Sequence, residues 1–308
     1  MKVEWHPVAQ GLQFPEGPVV LADGTLLIVE IKRGTLTSVR PNGACEIVAH
    51  CGGGPNGAAV GPDGRIFVCN NGGFEWQEAH GLTIPTGRAS DYSGGRIQVV
   101  DPGSGTVRDL FTGCAGAALR GPNDLVFDRH GGFYFTDTGK HDSQATQHGA
   151  LYYALANGSA IRQLAYGLSQ PNGCGLSPDG GTLYFSETNT ARVWRFDVAE
   201  PGQVRGGATP FAAGNANFLF GSPRYEFFDS MAIEAGGNLC VATLFSGGIT
   251  IVSPAGQLVD FVPGPGDPGI TNLCFSPIDP SLAYLTASCT GVVYQGRWPR
   301  PGLPAVFC

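Results

Sequence analysis

Six times along the chain a polar or acidic residue opens a short apolar run, a turn, and a second apolar run. The six segments read FPEGPVVLADGTLLIVE, GPNGAAVGPDGRIFVCN, GPNDLVFDRHGGFYFTD, QPNGCGLSPDGGTLYFSE, FFDSMAIEAGGNLCVAT and ITNLCFSPIDPSLAYLT. The runs are short and apolar, and Gly, Pro, Asn and Asp bound them. That is the pattern of β-strands joined by tight turns. The opening residues are Glu16, Asn56, Asn123, Asn172, Asp229 and Asn272. Eight positions after each comes a turn residue: Gly24, Gly64, Gly131, Gly180, Gly237 and finally Pro280.

A second pair of strand-like runs follows each segment. GTLTSVRPNGACEIV turns at Asn42-Gly43, and GGRIQVVDPGSGTVRDLF turns over residues 102–105. GALYYALANGSAIRQLA turns at Asn157-Gly158, and GGITIVSPAGQLVDFVP at Ala255-Gly256. Asn-Gly between apolar runs is a strong hairpin signal. Each copy therefore holds about four strands, and the copies recur with a mean period of about 51 residues. That combination predicts an all-β, six-bladed β-propeller of four-stranded antiparallel blades around a central channel. Six copies fill the chain, so residues 1–308 are expected to form one domain.

The sixth copy runs out near Trp298, and residues 3–5 are expected to supply its outer strand, leaving no free edge. Extra length stands at residues 72–93 and 213–226, which read as ligand-facing loops or tolerated insertions. Phe218, Phe220, Tyr225, Phe227 and Phe228, with Trp76, either pack the blades or cover the channel mouth. In the second case the ligand is less polar than a ring of amides and carboxylates alone would suit.

Composition narrows the partners. A net charge of −7 with scattered Lys and Arg offers nothing to neutralise phosphates, which argues against nucleic acid and against a membrane surface. No apolar stretch is long enough to span a membrane, and the first residues lack a secretory core, so a cytoplasmic protein is expected. None of the nine Cys forms C-x-x-C, and Cys69, Cys240 and Cys274 fall inside strand runs; buried thiols are expected.

In a propeller the first strand of each copy lines the channel, so the six opening residues are expected on one rim. Two carboxylates repelling across a channel mouth call for a cation. Carboxylate and amide oxygens suit Ca²⁺, Mg²⁺ or Mn²⁺. None of the six His falls at a ring position, which weakens a histidine zinc site. The competing reading is structural, since Asn also caps turns. No G-x-S-x-G precedes a helix, and GGGPNG at 52–57 is no phosphate loop.

The segments FPEGP at 14–18, LRGPNDLVFD at 119–128, QPNGCGLSPDG at 170–180, FFDSMAIEAGGNLCVAT at 227–243 and GGITIVSPAG at 247–256 carry a resemblance. The chain resembles the senescence marker protein/gluconolactonase/luciferin-regenerating family over nearly its whole length. The resemblance implies one divalent cation, most often Ca²⁺ (Zn²⁺, Mg²⁺ or Mn²⁺ as alternatives), held by Glu16, Asn172 and Asp229 with Asn123 completing the set. It implies a small-molecule lactone, such as an aldonolactone, opened with Asp229 and Asn123 as catalytic residues. Arg120, Asn56, Asn123, Asp124 and Asn272 are the candidates for contacting that substrate, although Gly121-Pro122 separates Arg120 from Asn123. A monomer or small homo-oligomer is expected. The chain is also similar to paraoxonase-type lactonases, but Ser230 stands where those carry Asn after the aspartate. A metal-dependent esterase or phosphotriesterase and a non-catalytic calcium-binding propeller are the alternative functions.

Overall fold

In a computed structural model, which describes residues 2–142, 144–205 and 217–308, the six copies are six four-stranded antiparallel blades. The inner strands are Pro15–Val20, Pro55–Val60, Pro122–Phe127, Pro171–Leu176, Phe227–Ile233 and Ile270–Phe275. Each abuts the next, and the sixth abuts the first. The expected all-β propeller is the observed fold. Among the described residues no helix is long and apolar enough to cross a membrane.

Ring closure differs slightly from expectation. The strand that completes the sixth blade is Trp5–Ala9, a few residues later than residues 3–5, and it pairs with Val292–Arg297. Val3 instead packs in the core beside Trp298. Residues 213–226 also depart from the loop reading: Asn217–Gly221 is the outer strand of the fourth blade, paired with Arg192–Glu200. Alternating polar and aromatic residues there look like an insertion until the missing fourth strand is counted. Residues 213–216 lie outside the described residues.

The core lies between blades. Phe67, Phe127 and Phe133 from the second and third blades form one contact set, with Phe67 edge-on to Phe127 at 5.1 Å. Burying one such ring contributes about 2–3 kcal/mol, which ties each blade to its neighbour. Cys69 and Cys240 sit in this buried material, whereas Cys45 and Cys308 are exposed.

Candidate functional site

All six opening residues lie where an inner strand begins, at one end of the channel, here termed the upper end. Each falls at or beside an interruption of strand register. The shifts lie between Glu16 and Val19, Pro55 and Gly57, Pro122 and Leu125, Pro171 and Cys174, Phe228 and Met231, and Ile270 and Asn272. A bulge bends its strand and re-aims the side chains on it. Six bulges at one level thus turn the ring side chains off the regular sheet pattern.

Close backbone approach holds that level. A Cβ on Gly57 would stand 2.4 Å from Asn123 O, and one on Gly17 would stand 2.8 Å from Asn56 O. The Glu-Gly and Asn-Gly pairs are therefore inner-strand contacts rather than hairpin turns. Hydroxyls on second strands link adjacent blades. Thr136 Oγ1 donates to Asn172 O, and Ser186 Oγ donates to Asp229 O at 2.7 Å.

The oxygens of this ring are unequally satisfied. Glu16 is 2 % exposed; its Oε2 accepts from Gly17 N at 2.5 Å and Asn272 Nδ2 at 2.7 Å. Its Oε1 is buried with no hydrogen-bond partner among the described residues, and so is Asn123 Oδ1. Asn172 gives Nδ2 to Thr188 Oγ1 at 3.1 Å, while its Oδ1 has only Ser230 Oγ at 3.4 Å. Asp229 Oδ1 accepts from Ser230 N at 3.0 Å. An unpaired buried acceptor costs about 1–3 kcal/mol. Two in one ring are acceptors that a cation or an ordered water would satisfy.

Electrostatics point the same way. Burial raises the pKa of Glu16. Burial and then the charge of Glu16 raise Asp229 well above the usual carboxylate range, with Asp124 adding to it. Burial and then Glu16 push Asp124 up to about 8. Three carboxyls that disfavour one another's ionised form would be relieved by a cation. Among the described residues no three His, Cys, Asp or Glu gather as a metal cluster. A cation here would therefore depend on the amide oxygens. Glu16, Asp229, Asn172 and Asn123 fit a hard ion of that kind.

The remaining candidates divide. Asn272 is committed on both sides: Nδ2 to Glu16, and Oδ1 to Leu273 N at 2.8 Å. Asp124 accepts Leu125 N and Cys174 N, bracing the third blade against the fourth. It lines a cavity of about 710 Å³ in the lower channel, with Gly17, Ala58 and Met231. Leu303, Pro304, Ala305, Val306 and Cys308 border that cavity too, so it lies below the ring rather than at the mouth. Asn56 Oδ1 accepts from Asn71 Nδ2 at 3.0 Å.

Arg120 is half-buried. Its backbone N–H and that of Gly121 donate to Asp137 at 2.8 and 2.7 Å, and its carbonyl accepts from Tyr92 Oη at 2.6 Å. Its guanidinium has no hydrogen bond or ion pair among the described residues. The Gly121-Pro122 step is thus held rigidly by buried Asp137, and the cation stays uncommitted.

Residues 72–93 form a roof. The hairpin Phe74–Ala79/Leu82–Arg88 leaves the second blade and packs Trp76 on Phe14 of the first, ring centroids 5.1 Å apart. Glu78 pairs with Lys32, Thr83 N donates to Cys289 O of the sixth blade at 2.9 Å, and Arg88 N donates to His141 O of the third at 3.1 Å. The hairpin therefore crosses the upper face beside the ring. Period-2 patterning in this stretch is broken by Pro85 and by a polar run, which hid it in the sequence.

The aromatic residues of the other insertion sort by depth. Phe228 is fully buried and stacks on Phe220; Phe218 meets Trp194 on the outer surface. Tyr225 and Phe227 join Phe245 at the upper rim, Phe227 being 5.1 Å from Phe245. Phe227 precedes Asp229 by two positions on one strand.

Lys140, Asn71, Thr188 and Ser230 were not legible as site residues. They come from second strands and the loops beyond them, or follow a ring residue, and carry no repeat signal.

The SMP-30/gluconolactonase/LRE-like region model matches residues 14–289. Lactonase drp35 of Staphylococcus saprophyticus is 30 % identical over 256 residues, 81 % of this chain and 70 % of that protein. A gluconolactonase of Zymomonas mobilis is 28 % identical over 313 residues, 91 % of this chain and 78 % of that protein. A solved gluconolactonase from Xanthomonas campestris shares the fold, with TM-score 0.75, 21 % identity and coverage of 96 % and 90 %. With the match spanning all six inner strands, the chain belongs to the SMP-30/gluconolactonase/LRE-like family.

Proposed function

We propose that this protein is a lactonase that opens the ring of a sugar-type lactone with water at the upper mouth of the channel. Relatives named lactonase drp35 and gluconolactonase support the reaction class. The observation that carries the site is the pair of buried, unpartnered acceptors, Glu16 Oε1 and Asn123 Oδ1, beside Asp229 and Asn172. These four residues would hold one divalent cation, Ca²⁺ first among the candidates. When bound, such an ion polarises the lactone carbonyl and stabilises negative charge developing on its oxygen.

The chain's own groups do the rest. Asp229, one oxygen tied to Ser230 N, accepts a proton from the attacking water at its carboxylate. The water oxygen bonds to the carbonyl carbon, the ring C–O bond breaks, and the proton passes to the departing alkoxide. A hydroxy acid results. Arg120 and Asn123 hold substrate hydroxyls, and Asn272 keeps Glu16 in place. The roof formed by residues 74–88 limits how substrate and bulk water enter.

Metal-stripped protein is assayed for proton release from δ-gluconolactone with Ca²⁺, Mg²⁺, Mn²⁺ and Zn²⁺ restored singly, beside Asp229→Ala. Metal-dependent turnover that Asp229→Ala abolishes together with ion binding supports the reading. Turnover of aryl esters or phosphotriesters but no lactone would overturn it, as would full lactone turnover by Asp229→Ala.

A further inference from the structure

The buried side chains beside the second blade fix the polarity of one ring amide. Asn71 is 1 % exposed and Lys140 5 %. Asn71 Oδ1 accepts from Gly73 N at 2.9 Å and from Lys140 Nζ at 3.2 Å. The Gly73 N–H can only donate, so this atom must be the oxygen, and an amide that could otherwise sit either way round is settled. Asn71 Nδ2 is then the atom facing Asn56, at 3.0 Å, and what it meets must be Asn56 Oδ1. The remaining atom of Asn56, Nδ2, donates to no described residue, yet it is not among the buried unpaired atoms. It therefore borders open space in the channel.

We infer that Lys140 is a positioning residue: acting through Asn71, it sets Asn56 to present N–H donors, not an acceptor, to the channel mouth. Lys140 Nζ is itself held by Gly73 O at 3.1 Å and by the face of Phe74 at 3.9 Å. Asp137, Arg88, His141 and the Tyr92 ring are the other polar or charged groups that interact with it. As ammonium or as amine, the nitrogen has the two N–H bonds that Asn71 and Gly73 require. The consequence is a division of labour within the ring. Glu16, Asn123, Asn172 and Asp229 turn oxygens toward the site, Asn272 spends its donor on Glu16, and Asn56 is fixed with N–H donors facing the channel. A donor fixed in place before substrate arrives suits a lactone carbonyl, ring oxygen or hydroxyl. It turns Asn56 Oδ1 toward Asn71 and away from the site. The functional half of this inference rests on the lactonase reading.

The test separates the two. Side-chain amide ¹⁵N–¹H exchange, assigned with Asn56→Asp and Asn71→Asp, reads the polarity without turnover. In the unmodified protein the Asn71 Nδ2 protons exchange slowly and those of Asn56 quickly, and Lys140→Met removes the difference. For function, Lys140→Met lowers kcat on δ-gluconolactone about tenfold with Ca²⁺ affinity unchanged. Lys140→Gln, which keeps an N–H donor, retains most of the rate. Lys140→Met added to Asn56→Leu costs nothing further, because both remove one aimed donor. Equal exchange at the two amides in the unmodified protein would overturn the polarity. Multiplying losses in the double variant, or weakened Ca²⁺ binding in Lys140→Met, would overturn the positioning role. A protein inactive on every lactone sinks the lactonase reading, while the exchange result still decides the polarity.

Discussion

Asn272 donates its side-chain amide to Glu16 Oε2 at 2.7 Å, across 256 positions of the chain. The bond joins the last blade to the first. It leaves Glu16 with one oxygen anchored and Oε1 open toward the ring. Closure of the propeller and orientation of a proposed ion ligand are thus one interaction.

Asn272→Leu removes that anchor and leaves Oε2 with Gly17 N alone. Partners behind a ligand typically shift ion affinity tenfold or more. The expected outcome is about tenfold weaker Ca²⁺ binding by calorimetry. Unchanged affinity would mean that Glu16 is held by its own backbone.

Gly57→Ala tests the backbone contact between the second and third inner strands. Its Cβ would stand 2.4 Å from Asn123 O, whereas a Cβ on Gly64 meets nothing within 4 Å and suffers only from φ of +78°. Gly57→Ala should cost about 2–3 kcal/mol and Gly64→Ala about 1 kcal/mol, read from urea unfolding. The reverse order would show that the inner strands part easily.

Lys140 gives stability a pH slope of known sign. Burial holds its pKa down to about 7, from the ordinary 10.5; Asp137 opposes the shift and Arg88 adds to it. Between those values the unfolded chain carries a proton that the folded chain lacks. Stability conferred at this residue therefore rises with pH, by at most about 1.4 kcal/mol per unit. Relative to Lys140→Met, the unmodified protein should gain urea resistance from about pH 7 to about pH 10. Parallel curves for the two proteins would place the Lys140 pKa near its ordinary value.

The hairpin over the upper face pairs with no blade strand. Replacing residues 75–87 with two glycines should keep the six-bladed circular dichroism spectrum and raise KM for δ-gluconolactone about threefold or more. An unfolded product would instead assign the hairpin to the structural core.

The blade count, the strand content and the level of the ring were all written in local patterns. Apolar runs bounded by Gly, Pro and Asn recur at a fixed period, and each copy carries its polar residue before the inner strand. Both signals act over a few residues, so they survive in one dimension. What the chain alone could not give depends on which segments meet. Asn217–Gly221 looked like an insertion because its partner, Arg192–Glu200, lies across a long connection. Asn56 and Asn123 read alike in the sequence, yet Asn71 and Lys140 make the first a donor, and burial leaves Asn123 Oδ1 an unpartnered acceptor. Hydrogen-bond polarity and the sharing of Glu16 between two blades arise only when strands distant in the chain are brought within bonding distance. The repeat determined where the six side chains stand; the tertiary contacts around them decided which atom each one turns inward.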